Sequence, residues 1–222
     1  MAAVARYLSQ IGSTLHLRLV RGGIAASENM HETIGATAMN VLDAIRTRRS
    51  VRSYTTKPIP AEVMERMRQA LRLAPSACSI QPWRFILVTD PALRREVAQA
   101  ASGQKWMADA PVTVVGCGLP EQAYRKMGGY GNSVDVDVAI AMDPLTLAAV
   151  AEGLGTCWIG AFDEAKVKGL LGIPKEVKVV AMAPVGYPSS SDLNHPMEDG
   201  RRKPETEIFS LDRYGSQATV GR

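Results

Sequence analysis

Histidine, cysteine and phenylalanine each occur only three times in this chain of 222 residues, and aromatic residues make up 5% of it. That scarcity excludes several chemistries. Cys78, Cys117 and Cys157 lie far apart with no Cys-x-x-Cys, so a disulfide framework and a thiolate metal cluster are both disfavoured. The pattern fits a reducing, cytoplasmic compartment. His16, His31 and His195 fall in no metal-ligand spacing, and no metal is expected. No basic stripe is interleaved with aromatics, so nucleic acid is not an expected partner. Nor is a membrane: the nearest apolar run, 136–154, carries Asp137, Asp143 and Glu152. A Gly-x-Ser-x-Gly elbow and a dinucleotide glycine fingerprint are missing too. The formal net charge of +4 is modest, though it eases the binding of an anion.

What is present reads as alternating short strands and longer helices, an α+β layered pattern. Residues 39–47 form a short helix with Val41, Leu42 and Ile45 on one face. A second helix opens at Pro60 with the stripe Val63, Met67, Ala70, Leu71 and Ala74, and Pro75 ends it. Trp83 to Val88 is a strand. Asp90-Pro91 starts a helix through Ala100, and Val112 to Cys117 is a strand apolar enough to be buried on both faces. A long helix covers 134–154 despite Pro144, with Val138, Met142, Leu145 and Ala149 as its core stripe. Cys157 to Ile159 reads as a short strand, 163–170 as a helix and Val177 to Val185 as the last core strand. Residues 1–38 are arginine-rich and acid-poor. They read as an extension outside the fold, an arm on a partner or a targeting peptide.

Three constellations carry chemical interest, each with a plain alternative. Arg48-Arg49-Ser50, with Arg52, offers guanidinium forks and a hydroxyl suited to phosphate. Equally, it can be a solvated run, and so can Arg201-Arg202-Lys203. In the segment from Ala74 to Trp83, Ser76, Ser79 and Gln81 can satisfy the polar edge of a flat ligand, or Ser76 can simply organise a turn. Gly155 and Gly160, with Ala161 beside the second, let backbone N–H groups approach a ligand, or shape an empty turn. Side-chain acid–base apparatus is missing. Asp135 and Asp137 point to different sides of a helix, and Cys157 without a neighbouring histidine reads as a buried structural thiol. Such a chain leaves the chemistry to a cofactor.

In order, Arg48-Arg49-Ser50-Val51-Arg52, the segment from Ala74 to Trp83, the run from Gly153 to Gly160, Val185-Gly186-Tyr187-Pro188 and Arg202-Lys203-Pro204 resemble the nitroreductase family of flavoproteins. The resemblance spans about 39–208, leaving 1–38 as an extension and 209–222 as a tail. It implies a nitroreductase-like α+β fold, a central and mostly antiparallel sheet flanked by helices. It also implies an intertwined homodimer with FMN at the interface. Arg48, Arg49 and Ser50 are implied to hold the flavin phosphate, completed by Arg202 or Lys203. Pro75, Ser76 and Ser79 are implied to lie along the ring from the other subunit, with Gly160 and Ala161 presenting backbone amides near its reactive edge.

No side chain is implied to be catalytic, the amide near Ala161 being the candidate stabiliser of charge. NADH or NADPH would serve as electron donor in a ping-pong cycle, and nitroaromatics, quinones or similar small electrophiles as acceptors. Tyr124 and Tyr130, around Gly128, are candidates for the substrate lip. The alternatives are a dehalogenating or flavin-cleaving member, or a flavin-binding dimer without turnover. Ser79, where the family usually has Asn, and Pro144 depart from the pattern.

Overall fold

The computed structural model describes residues 39–216. The expectations for 1–38, including His16 and His31, and for the last six residues of the tail lie outside the described residues. Helix α1 (Val41–Thr47) starts at Asn40, whose side chain accepts from the Asp43 amide. Helix α2 (Ala61–Arg72) buries Val63, Met67 and Leu71 and stops short of Pro75, because a residue before proline resists the helical region. Strand β1 (Trp83–Val88) leads to α3 (Pro91–Ala100), where Asp90 caps the Leu93 amide at 2.7 Å and Pro91 sits in the first turn. Strand β2 (Val112–Gly118) is buried throughout. Helix α4 (Val134–Ala151) runs through Pro144, which has no N–H to give the Ile140 carbonyl. Then follow β3 (Gly155–Thr156), α5 (Glu164–Leu171, closed by Gly172 at φ 64°), β4 (Lys178–Gly186) and the short α6 (Glu205–Ile208).

The four strands form one sheet in the order β1-β2-β4-β3, every pair antiparallel. Helices cover both faces. On one, α2 and α4 pack Met67, Val138, Met142 and Leu145 against Val112, Val114, Ala183 and Val185. On the other, Val97 of α3 and Val167 of α5 meet Val115, Cys117, Val179 and Met182. A bulge in β4 lets this happen. Gly116 faces Ala181 but Cys117 faces Val179, so Val180 is an extra residue and the inside–outside parity of β4 changes there.

The short strand after α4 lies at Gly155–Thr156 rather than at Cys157–Ile159. Gly155 and Thr156 pair with Gly186 and Val185, whereas Ile159 joins the sheet only through a lone bridge to Met182. Ile159, on which the expected strand ended, sits beyond the true ladder, and the glycine that reads as a turn lies within it. Among the described residues no helix is long and apolar enough to cross a membrane.

Candidate functional site

After α1 the chain extends and runs along β3. Ser50 bridges Thr156 in parallel, and the Val51 amide donates to the Thr156 carbonyl at 2.9 Å. Gly155 makes this approach possible. A Cβ there would stand 2.6 Å from Val51 Cγ2 and 2.8 Å from its Cβ. Tyr54, buried against Trp106, donates its hydroxyl to the Val51 carbonyl at 2.7 Å, and burial raises that hydroxyl's pKa far above the ordinary range. The arginine cluster and the glycine-rich segment thus share one edge of the sheet.

That edge borders a pocket of about 420 Å³ lined by Arg49, Ser50, Arg52, Asp192, Leu193, His195, Met197, Arg201 and Arg202. The late basic cluster is brought to the early one. The bonds that hold the returning arm include Met197 N to the Arg46 carbonyl at 3.0 Å and Asn194 Nδ2 to the Leu154 carbonyl at 3.0 Å.

Arg49 is the informative residue of the pocket. Its Nη1 donates to the Arg48 carbonyl at 2.6 Å, but Nε and Nη2 are buried with no partner among the described residues. Burial lowers the guanidinium pKa first, and the like charges of Arg48, Arg202 and Arg201 lower it further. Asp192, the one carboxylate in the lining, is already engaged by the Ser190 hydroxyl. A half-buried cation crowded by cations and holding two idle donors is chemically suited to an anion with several oxygens. Arg48 does not line this pocket, and Lys203 lies outside it, 4.0 Å from Glu207. Burial raises the Cys157 thiol pKa, in keeping with a structural role.

Gly160 and Ala161 follow on the same strand line and are exposed. A Cβ on Gly160 would meet nothing within 4 Å, so space stands open beside it. The Ala161 carbonyl accepts from the Ser102 hydroxyl at 3.4 Å.

The segment after α2 is a tight 3₁₀ turn at Ala77–Ser79, with Cys78, Ser79 and Gln81 all in the left-handed region (φ 50°, 56° and 57°). Such positions in residues other than glycine store strain and gather at functional sites. Ser76 organises the turn. Its carbonyl accepts from Ser79 N at 3.0 Å and its hydroxyl from Gln81 N at 2.8 Å. Gln81 Nε2 reaches back to Ser79 Oγ at 3.3 Å. Pro75, Ser76 and Ser79 do not line the basic pocket of their own chain. Tyr124 and Tyr130 also lie away from it. Their segment is closed by a Met127–Gly131 bridge around Gly128 and Gly129, both at positive φ as a type I′ turn requires.

Arg52, read beside the early cluster, does line the pocket, whereas sequence reasoning missed Asp192 and His195 as lining residues. The polar composition of 188–204 gave no sign that this stretch folds back onto α1.

A family model described as the nitroreductase family matches residues 45–111 and 100–187. A protein of Archaeoglobus fulgidus is 34% identical over 152 residues, covering 66% of this chain and 84% of its own length. The FMN reductase (NAD(P)H) of Bacillus subtilis is 28% identical over 192 residues, covering 80% of this chain and 75% of that protein. Among solved structures, the NADPH:FMN oxidoreductase from Vibrio harveyi complexed with NAD+ superposes with a TM-score of 0.68 at 27% identity. That match covers 78% of this chain and 77% of the other.

Proposed function

The chain belongs to the nitroreductase family, and from that membership and the Arg49 pocket we propose an FMN-dependent oxidoreductase. It uses NADH or NADPH to reduce small electrophiles such as nitroaromatics and quinones, and works as a homodimer. The observation that carries this reading is the pair of buried, unpartnered nitrogens on Arg49 among three further arginines. A phosphate monoester fits such a donor set, and FMN ends in one. When bound, FMN supplies the redox chemistry, taking two electrons from the nicotinamide and passing them to the acceptor.

The chain's own residues bind, orient and exclude. Arg49 and Ser50 hold the phosphate with Arg202, Arg48 stands beside them, and Lys203 adds charge from outside. Gly160 and Ala161 offer backbone amides, preorganised dipoles where negative charge develops on the ring. Pro75, Ser76 and Ser79 cover the ring of the partner's cofactor, and Tyr124 and Tyr130 border the acceptor. Ping-pong turnover follows if donor and acceptor use the same opening in succession. The compact turn at Gly128 and Gly129 leaves little chain for the elaborate lid that a dehalogenating or flavin-cleaving role would need, so general reduction is favoured.

The test is an anaerobic titration of the purified protein. We expect a yellow protein that NADH or NADPH bleaches and a quinone restores. Protein that is colourless and takes up no added FMN overturns the reading, and bound flavin that neither nicotinamide reduces leaves a binder without turnover. Arg49→Ala should weaken FMN by about 1.5–3 kcal/mol, the usual worth of a charged hydrogen bond, in a direct fluorescence titration.

A further inference from the structure

A deeply buried carboxylate lies outside the basic pocket. Asp137, in the first turn of α4, is 2% exposed. Its two oxygens do different work. Oδ1 accepts from the Ala77 amide at 2.9 Å, and Oδ2 accepts from the Ser133 hydroxyl at 2.6 Å. Ser133, equally buried, is tied in turn to Tyr124. Its hydroxyl accepts from Tyr124 N at 3.2 Å and its amide donates to the Tyr124 carbonyl at 2.9 Å. One side chain thus joins the left-handed turn 76–81 to the lip 124–133.

Generic helix chemistry does not account for this. Burying a carboxylate is unfavourable by several kcal/mol unless donors compensate. Asp135, two residues earlier, takes the ordinary course of an exposed ion pair with Lys178 at 2.7 Å. Ser133 precedes the helix, where a serine commonly bonds a helix amide, yet here its hydroxyl goes to Asp137. Both residues give up their local role for a link across the chain.

We propose that Asp137 is a positioning residue of the flavin site. It makes the turn that lies along the ring and the lip that borders the acceptor one mechanical unit. An acceptor that displaces the lip therefore pulls on the turn. This rests on the functional reading above, and the experiment keeps the two separable.

The variants are Asp137→Asn and Ser133→Ala. In Asp137→Asn the amide oxygen can still accept from Ala77, but an NH₂ replaces the acceptor facing Ser133. Trypsin reports on the lip through Arg125 and Lys126, both exposed. Cleavage after either residue should quicken at least about fivefold in both variants, with or without FMN, the factor expected for one lost hydrogen bond. Acceptor KM should rise about fivefold in both while kcat stays within about twofold. Only Asp137→Asn should also shift the visible band of bound flavin, because only it takes the negative charge from the acceptor that holds the Ala77 amide.

Wild-type cleavage rates and KM in both variants overturn the proposal. If Asp137→Asn does not fold, Ser133→Ala decides through cleavage and KM alone. Should wild-type protein bind no FMN, the functional reading falls while the cleavage rates still decide whether Asp137 couples the two segments.

Discussion

Ser79 sits at φ 56°, a backbone position that asparagine tolerates and most other residues resist. The departure from the family's usual asparagine is therefore more than a change of hydrogen-bonding group. Ser79→Asn should relieve strain in the turn and raise stability by a few tenths to about 1 kcal/mol in urea denaturation. It should also tighten FMN if the restored amide reaches the ring, which the same fluorescence titration would read. Unchanged stability would mean that the neighbouring left-handed residues Cys78 and Gln81 set the cost of the turn. At this scale legibility was uneven. Ser79 stood out as an oddity only against the family resemblance, and Arg49 from its neighbours. Asp137 did not, because its significance lies in a backbone amide 60 residues away, which no local spacing encodes. Reading Asp135 and Asp137 as facing different ways was right, but what the inward one held was invisible.

Among the elements, the stretch at Arg48–Arg52 and strand β3 depend on each other. Gly155→Ala would drive a methyl into Val51, which is itself 1% exposed and hydrogen-bonded to Thr156. The expected outcome is a loss of about 1–3 kcal/mol, the usual cost of overpacking, seen in thermal denaturation. FMN affinity should fall with it, since Ser50 moves when Val51 does. Adding Val51→Ala should recover part of the affinity even where stability stays low. Elements with chemical punctuation were legible: Asp90-Pro91 marks the start of α3, and Asp163 with Gly172 brackets α5. Strand β3 was shifted by two residues, because its position is set by Val51 and Val185 packing around a glycine rather than by its own β propensity.

For the whole molecule, the described surface exposes apolar side chains in particular places. Val41, Leu42 and Ile45 of α1 are each more than half exposed, as are Ile208, Phe209 and Leu211 of the returning arm. These residues support the proposed homodimer, and α1 borders the arginine cluster. In a two-fold interface each substitution counts twice. Leu42→Glu should weaken dimerisation by about 3 kcal/mol or more, from two lost side-chain burials of roughly 1.5–3 kcal/mol each. Sedimentation at falling concentration would show it, and FMN should dissociate with the subunits. A variant that remains dimeric and yellow at nanomolar concentration would move the interface elsewhere.

Strand β4 also behaves like a coding sequence with a two-letter frame. Upstream of Val180 the frame assigns Val179 to the α3–α5 face, and downstream a shifted frame assigns Met182 to that same face. Deleting Val180 merges the two frames into one and leaves both residues where they were. A single deletion further along β4 would turn the residues on one side of it inside out, sending core methyls of one layer into the other. The strand's length can therefore drift at one address only, and the bulge marks that address.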